Sequence, residues 1–391
     1  MRDADALDNL VPEITEWRRD IHRNPELGYD VVRTAGLVAE KLREFGVDEV
    51  VEGVGRTGVV GIIKGREAGR CIGLRADMDA LPIIEASGAE WTSTVDGKMH
   101  ACGHDGHTAM LLGAARALAD SRDFSGSVAV IFQPAEEGGA GGKAMVEDGM
   151  MERFSIDEVY GMHNMPGIAV GEFAIRPGPL MACADQFDIR IEGLGGHAAM
   201  PHACVDTVVV ASHIVIALQS IVSRNVRPTD PLVISITTVN VDGDAYNVIP
   251  QQVHLRGTLR AYEEEVRLMG KQRLQEIVER TAAVFNASAE LDYEDGYPPT
   301  VNDPEKTDFC IKVAEAVAGA GKVDGERPPV MGAEDFSYML NERPGAFIFV
   351  GNGDSASLHH PQYDFNDEVI SHGCRYWLTL VDHALGAGAR A

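Results

Sequence analysis

The chain carries two different patterns of hydrophobic and polar positions. Near its start, apolar residues recur with helical spacing at 9–22 and 33–45, and the runs VVGIIKG, CIGLRAD and SVAVIFQP are typical of buried strands. A further helical pattern, HTAMLLGAARALAD, lies between the last two runs. Helices that alternate with buried strands predict an α/β layer around a largely parallel sheet, with functional residues in the loops that follow the strands.

The second pattern occupies the middle of the chain. Its elements are, in order, strand QFDIRIEG, helix 205–223, strands PLVISITTVNV and QQVHLRGTLRA, helix 263–285 and strand ASAELDYE. A βαββαβ order of this kind predicts a ferredoxin-like antiparallel sheet with helices on one face. It therefore indicates a second complete folding unit.

The first pattern resumes after this insertion. The remaining elements are helix 304–318, helix 334–341, strand AFIFVGN and a last helix at 367–386. Because 391 residues exceed the size that one hydrophobic core usually supports, two domains are expected. We predict a discontinuous catalytic domain formed by 1–184 and 296–391, interrupted by an inserted domain at 185–295.

Composition narrows the class of protein. Hydrophobic residues make up 45% of the chain and charged residues 24%, as in ordinary globular proteins. A net charge of −26 disfavours nucleic acid as a partner. The start, MRDADALDNLVPEITEW, lacks the apolar core of a signal peptide, and no stretch approaches the roughly 18 apolar residues of a membrane span. The six cysteines are scattered, so we expect a reducing cytoplasm and no disulfide framework.

Residues 100–107, HACGHDGH, hold the densest group of side chains that can bind metal. Cys102 and His104 are two positions apart, so both can face one site only from an extended loop. Thiolate and imidazole together favour Zn, Mn, Co or Ni over Mg or Ca. Two other interpretations stay open: a helix start with Cys102 as a small buried residue, or a reactive thiol with a histidine as its base.

Four further motifs follow predicted strands of the same domain. They place Glu136 and Glu137 in VAVIFQPAEEGG, His163 in VYGMHNMP, His359 and His360 in GNGDSASLHHPQYDF, and Asp77 and Asp79 in IGLRADMDALP. Adjacent carboxylates at a strand end are costly unless they are solvated, paired or bound to a cation. Each motif has a simpler interpretation as an acidic turn, a core histidine or a helix cap. Together they supply more N, O and S ligands than a closed structural zinc needs, which favours an open catalytic site for two ions.

The ordered motifs IHRNPELGY, RADMDALP, HACGHDGHTAML, QPAEEGGAG, GMHNMP, GGHAAMPH, NVIP, GAEDFSYM and LHHPQYDF carry a resemblance over essentially the full length. The chain resembles the dinuclear metallo-amidohydrolases that include hippurate hydrolase, N-acyl-amino-acid amidohydrolases and plant indole-acetyl-amino-acid hydrolases, which are relatives of aminoacylase and carboxypeptidase G. The resemblance implies hydrolysis of the amide bond of N-acyl amino acids. It also implies two divalent ions per subunit, chosen among Mn, Zn, Co and Ni.

The resemblance further implies a role for individual residues of the first domain. The implied metal ligands are Cys102, which would bridge the two ions, His104, Glu137, His163 and His359. Glu136 would be the general base, and Asp79 the acid that orients a ligand across the site. Asp77 falls where distant relatives place a metal-binding histidine, so the ligands of the first ion would differ from theirs at this position. His100, Asp105 and His107 keep structural or supporting roles.

The same resemblance gives the inserted domain a role as lid and dimerisation domain. His197, in GLGGHAAMPH, and Asn247, in YNVIP, would approach the substrate, with the histidine supplied by the partner subunit of a homodimer. Arg260 could pair with a substrate carboxylate or serve only in domain packing. The alternatives to an N-acyl-amino-acid hydrolase are a dipeptidase or carboxypeptidase, and a catalytically silent protein that binds a metal or ligand.

Overall fold

The computed structural model describes residues 4–386, with side chains from residue 7 onward. The chain forms two compact units. The first comprises Met1–Leu180, Val301–Pro328 and Asp335–Ala391, and the second comprises Met181–Thr300 and Pro329–Glu334.

Residues up to 181 contain six helices and seven strands within the described part of the chain. These are α1 Ala4–Arg23, α2 Val32–Glu44, β1 Glu49–Val54, β2 Gly58–Lys64, β3 Glu67–Asp77, α3 His104–Ser121, β4 Ser125–Gln133, α4 Glu136–Gly139, α5 Gly141–Glu147, α6 Met150–Arg153, β5 Ile156–Pro166, β6 Phe173–Ala174 and β7 Gly178–Met181.

The rest of the chain continues the series. Its elements are β8 Ala184–Glu192, β9 Gly196–His197, a 3-10 turn Pro201–Ala203, α7 Thr207–Ser220, a π-helical segment Ile221–Asn225, β10 Leu232–Val241, β11 Val248–Ile249, β12 Gln252–Ala261, α8 Glu264–Val284, β13 Ser288–Tyr297, β14 Thr300–Asn302, α9 Pro304–Ala318, β15 Val323–Asp324, α10 Ser337–Glu342, β16 Gly345–Gly353 and α11 Val369–Leu385.

The first unit is built on an eight-stranded mixed sheet in the order β1-β2-β4-β3-β5-β16-β6-β15. Its four central strands, β4, β3, β5 and β16, run parallel to one another. The apolar runs read from the sequence are buried here because helices such as α3, α9 and α11 cover the sheet. The predicted α/β fold with a largely parallel sheet flanked by helices is confirmed.

The second unit has the βαββαβ order β8-α7-β10-β12-α8-β13. Its sheet, β10-β12-β8-β13, is antiparallel throughout, and α7 and α8 pack on it to enclose a separate hydrophobic core. This agrees with the ferredoxin-like order read from the sequence. The domain boundaries at 185 and 295, and the roles given to the two domains, stay predictions.

Two helices differ from the sequence expectation. The helix expected at 334–341 begins only at Ser337, because the carboxylate of Asp335 is bonded to the Arg75 guanidinium and to the backbone N–H of Gly142. The helix expected at 205–223 begins at Thr207, where the Asp206 side chain caps its first turn.

α7 and the π-helical segment after it form the stretch Thr207–Asn225. By length and composition alone this stretch could cross a membrane, contrary to the expectation that no segment approaches that length. Its residues Val210, Ile214 and Leu218 are buried in the core of the second unit, as in a core helix of a globular domain.

A buried cluster of charged groups joins α1 to the start of α3. Asp105 lies 3.0 Å from Nε of Arg18 and 2.8 Å from Nδ1 of His22, and none of the three side chains is exposed. Nε2 of His22 lies 3.2 Å from Glu85. Burial opposes the charged ring, but Asp105 and Glu85 outweigh it and raise the pKa of His22 to about 9. His100, whose pKa burial lowers to about 3, faces the cluster as a neutral ring.

We expect His22→Gln to change the pH dependence of stability. The pKa of His22 is raised from 6.5 to about 9, so its charge stabilises the folded protein fully below the unfolded value and progressively less as pH rises through the folded value. The melting temperature of the variant should therefore lie furthest below the parent's at about pH 6, and the gap should shrink to a constant remainder by about pH 10. Thermal unfolding followed by circular dichroism measures this gap, and a gap that does not vary with pH would contradict the assignment.

Candidate metal centre

The candidate residues of the first unit come from neighbouring parallel strands. Asp79 follows the end of β3, Glu136 and Glu137 follow β4, and His163 lies near the end of β5. Since these strands are parallel and adjacent, their carboxyl ends meet at one edge of the sheet. His359 comes from the loop after β16, the next strand in the sheet.

Two groups of donor atoms share the sulfur of Cys102. One joins Cys102 to His104 and His163, and the other joins it to Glu137 and His359, with all donor atoms of a group within 4.8 Å of one another. Five predicted ligands are therefore brought together around one thiol. A pair of overlapping groups with a common sulfur is the donor set that a thiolate-bridged pair of ions requires.

The hydrogen bonds of the two buried histidines leave one nitrogen of each ring available. Nδ1 of His104 donates to the carbonyl oxygen of Asp79 at 2.8 Å, and Nδ1 of His163 donates to the carbonyl oxygen of Asn164 at 2.6 Å. In the neutral rings each Nε2 then carries a lone pair that a cation can take in place of a proton, and Nε2 of His104 is buried without a hydrogen-bond partner. A backbone carbonyl that fixes the tautomer in this way is typical of metal-binding histidines.

The electrostatic field at the cluster favours positive charge. Burial opposes protonation of His104, but the carboxylates of Asp77 and Asp79 outweigh it and raise the pKa of His104 to about 10. Burial and the carboxylates of Glu137 and Glu136 raise the pKa of the Cys102 thiol well above its ordinary value. Because a cysteine nucleophile needs a lowered pKa, this environment speaks against Cys102 as the attacking group. The donors and the field fit divalent cations.

Asp79 organises the loop that carries both glutamates. Its two carboxylate oxygens accept the backbone N–H groups of Glu136 at 2.9 Å and of Glu137 at 3.1 Å. The preceding residue, Ala135, has a left-handed backbone with φ of 54°, a conformation costly for a residue other than glycine. The bonds to Asp79 hold this strained turn so that Glu136, 7% exposed, lies against the donor cluster.

Asp77 and His107 also lie close to His104, but their own contacts occupy them. Asp77 is bonded to Nη1 of Arg75 at 2.7 Å and to Nδ1 of His107 at 2.6 Å. Nε2 of His107 accepts the backbone N–H of Asn164 at 3.0 Å, which leaves it no free lone pair. Asp77, His104 and His107 also place donor atoms within 4.8 Å of one another, but the contacts of Asp77 and His107 engage them with Arg75, Asn164 and each other.

His359 is the exposed member of the cluster. Its Nε2 lies 3.2 Å from Oε1 of Glu137, and its side chain is 53% exposed, whereas the Glu137 side chain is 12% exposed. Its backbone has φ of 64°, and its N–H donates to the carbonyl oxygen of Ala101 beside Cys102. The side chain of His360 bonds within its own loop, where Nδ1 accepts the backbone N–H of Gln362.

The three candidate substrate residues lie in the second unit. His197 on β9 and Asn247 before β11 are adjacent and exposed, and the carbonyl oxygen of Asn247 accepts the N–H of Ala198. Nδ1 of His197 accepts the N–H of Ala199, so its Nε2 carries the proton and faces outward as a donor. Arg260 is half-buried on β12, where it donates to Oγ1 of Thr258.

The sequence interpretation missed the polar residues beneath the donors. The buried Asn164, Tyr363, Arg75 and Asp335 all bond to the loops or side chains described above. Asn164 and Tyr363 stand in the motifs GMHNMP and LHHPQYDF, which we had interpreted only through their histidines. The sequence feature that could have identified them is a polar residue in the same short motif as a candidate ligand.

A largely parallel α/β sheet with two donor groups at its strand ends is the arrangement of a metal site that is open to a substrate. In the comparison with known families, residues 73–383 match the model of "Peptidase family M20/M25/M40". The chain belongs to this family. The family expected from the sequence motifs, and the assignment to metal-dependent hydrolases, are thereby confirmed.

Relatives align over nearly the whole chain. The hippurate hydrolase of Campylobacter jejuni subsp. jejuni is 41% identical over 380 residues, 95% of this chain and 98% of its own. Thermostable carboxypeptidase 2 of Saccharolobus solfataricus is 45% identical over 384 residues, 95% and 96% of the two chains. The structure of Bacillus subtilis YXEP protein, described as a dinuclear metal binding peptidase from the M20 family, is 34% identical with a TM-score of 0.84 and covers 97% of this chain and 99% of its own.

Proposed function

We propose that the protein hydrolyses the amide bond of N-acyl amino acids and releases a carboxylic acid and a free amino acid. The observation that carries this proposal is the position of Glu136, which lies with His104 and Glu137 in one group of donor atoms within 4.8 Å. A carboxylate that is close to the ligands but additional to them is what a hydrolase needs as its base. The similarity to a hippurate hydrolase supports an acylated amino acid as substrate.

In this proposal Cys102, His104, Glu137, His163 and His359 would hold two divalent ions. When bound, the ions act as Lewis acids that lower the pKa of water and polarise the amide carbonyl. Sulfur, imidazole and carboxylate donors together favour Zn, Mn, Co or Ni.

The protein's own residues then move the proton. Glu136 accepts a proton from water as the oxygen attacks the carbonyl carbon, and it returns that proton to the nitrogen as the C–N bond breaks. Asp79 keeps Glu136 in place through the backbone of the loop. The outward Nε2–H of His197 is suited to stabilise the negative oxygen, with Asn247 beside it and Arg260 available to the substrate carboxylate.

A carboxypeptidase is the second candidate function. It is favoured by the similarity to thermostable carboxypeptidase 2, and the chemistry differs only in whether the acyl group belongs to a peptide. A substrate panel of hippurate, N-acetyl amino acids and dipeptides separates the two activities.

We expect activity on this panel to be lost after chelation and restored by one or more of Mn, Zn, Co and Ni. The reason is that the polarised carbonyl and activated water depend on the cations that the donor groups hold. Turnover is measured on chelator-stripped protein with each ion returned separately. Activity that survives chelation in the parent but is lost in Cys102→Ser would instead indicate that Cys102 is a nucleophile.

We expect Glu136→Gln to retain its metal and to lose turnover by about 10²- to 10⁴-fold, the usual contribution of a general base. The amide has the same shape but cannot accept the proton. Metal content by elemental analysis and kcat are the two measurements. Glu147→Gln, on the exposed surface of α5, is the matched control and should behave as the parent. Near-normal turnover in Glu136→Gln would reject the base assignment.

We also propose that the protein is a homodimer formed through its second unit. β10 is an edge strand of the antiparallel sheet, and Val239 and Val241 on it are exposed. On α7, Val209 and Ile216 are exposed as well. An unpaired strand edge and an apolar helix face are what a second copy of the chain would cover. In such a dimer His197 would serve the metal centre of the partner.

Mixed dimers test the contribution of His197 to the partner's site. Glu136→Gln and His197→Ala subunits should each be nearly inactive alone, yet a mixed dimer has one site with both residues intact. Random co-expression makes half of the dimers mixed, each with one working site of two, so about a quarter of the parental activity should return. Light scattering verifies the dimer. Absence of recovery in a verified mixed dimer would show that the histidine acts within its own chain.

The chemistry of Cys102 also bears on the cell compartment. All six cysteines are free, and four of them besides Cys102 are buried. A metal-binding thiolate must stay reduced, so we propose a reducing compartment such as the cytoplasm. The acidic chain, with a net charge of −26, is not suited to nucleic acid.

A further inference from the structure

We propose that Asn164, oriented by the hydroxyl of Tyr363, is a positioning residue that sets the relation between Cys102 and His163. The inference rests on the ligand assignment made above, and it concerns residues that make no contact with substrate in the proposed reaction. Both side chains are completely buried. The two residues belong to different elements, the end of β5 and the loop that follows β16.

The Tyr363 hydroxyl and the Cys102 carbonyl together determine which way the Asn164 amide points. Its Oη lies 2.6 Å from Oδ1 of Asn164, and burial raises the pKa of Tyr363 well above its ordinary value, so the hydroxyl remains a donor. The carbonyl oxygen of Cys102, on the other side of the amide, can only accept and so requires the amide nitrogen, which leaves Oδ1 to receive the Tyr363 hydroxyl. The nitrogen, Nδ2, is therefore directed to the opposite side.

Asn164 then contacts both predicted ligands. Its side-chain nitrogen Nδ2 donates to the backbone carbonyl oxygen of Cys102 at 2.6 Å. The backbone carbonyl oxygen of Asn164 accepts Nδ1–H of His163, also at 2.6 Å. The residue thus joins the backbone of one ligand to the ring of the other. Across this connection Sγ of Cys102 and Nε2 of His163 lie 3.4 Å apart.

Asn164 also fixes the tautomer of His107. Nδ2 and the backbone N–H of Asn164 both lie 3.0 Å from Nε2 of His107, which must accept, so Nδ1 carries the proton toward Asp77. A directed series of donors therefore runs from Tyr363 through Asn164 and His107 to a carboxylate held by Arg75. Reversal of the amide would oppose acceptor to acceptor at both Cys102 and His107.

The loop between Cys102 and His104 packs closely against the Asn164 amide. Gly103 has φ of 92°, and a Cβ at this position would overlap the Asn164 amide and the Tyr363 hydroxyl. Glycine is therefore required there both for the backbone conformation and for the space. The loop can approach so closely only because Asn164 satisfies the Cys102 carbonyl, which would otherwise be a buried acceptor without a donor.

The test uses Co²⁺ added to chelator-stripped protein, because a cobalt–thiolate bond gives an absorption band that reports directly on Cys102. We expect Tyr363→Phe to raise the dissociation constant for Co²⁺ by about 10- to 100-fold and to weaken or shift the band, the usual result of disturbing groups that orient ligands. Asn164→Asp, which keeps the shape but replaces the donating nitrogen with an acceptor, should have the larger effect.

Tyr160→Phe is the matched control. Tyr160 is also buried on the first unit's sheet, and its Oη donates to Glu158 at 2.7 Å at the opposite end of β5. It should lose a similar amount of thermal stability yet bind Co²⁺ as the parent does. If Tyr363→Phe and Tyr160→Phe share the parent's affinity and spectrum, the positioning role is excluded. Circular dichroism verifies that each variant folds, and Tyr363→Phe, which removes a single oxygen atom, decides the question if the buried carboxyl group of Asn164→Asp prevents folding.

The absorption spectrum of the parent protein with Co²⁺ distinguishes a failure of the positioning proposal from a failure of the ligand assignment. If the parent shows a cobalt–thiolate band that Cys102→Ser abolishes, the ligand assignment holds and only the variants decide the role of Asn164. If the parent binds Co²⁺ without that band, Cys102 is not a ligand, and the positioning proposal fails with the ligand assignment.

Discussion

The carboxylate of Asp79 is the connection on which the candidate site depends. Asp79 follows β3, and its carboxylate accepts two backbone N–H groups of the Glu136–Glu137 turn that follows β4. Its backbone carbonyl oxygen accepts Nδ1–H of His104 at the start of α3. Three separate elements are thereby fixed by one residue. Charge-assisted bonds to backbone N–H groups are strong, and they can hold the left-handed Ala135 that precedes the turn.

The sequence pattern could predict the sheet but not these connections. Hydrophobic periodicity identifies which strands are buried, and parallel strands bring their carboxyl ends together, so Asp79, Glu136 and His163 could be expected at one edge. Periodicity carries no information on which polar side chains meet. Tyr363 and Asn164 are 199 positions apart, and only the folded sheet brings their side chains within a hydrogen bond.

The same limit explains the residues whose roles the sequence left open. Asp77 and Asp79 stand in one short motif, RADMDALP, and look equivalent as letters. Their neighbours differ, because Asp77 is bonded to Arg75 and His107, whereas Asp79 faces the backbone of the glutamate turn. The prediction of a helix at 334–341 was wrong at its start for a related reason. The carboxylate of Asp335 accepts a hydrogen bond from Arg75, and the helix begins only at Ser337.

The two buried ionic clusters have a common consequence for the first turn of α3. Arg18 and His22 hold Asp105 on one side of His104, and Arg75 with Asp77 holds His107 on the other. Buried ion pairs contribute little to net stability compared with apolar residues of the same volume, because both charges must leave water. Their contribution here is to geometry: they fix Asp105 and His107 in the first turn of α3, while the backbone carbonyl oxygen of Asp79 orients the ring of His104 through Nδ1. A site that must place donors from four loops around one sulfur gains more from such fixed directions than from additional hydrophobic burial.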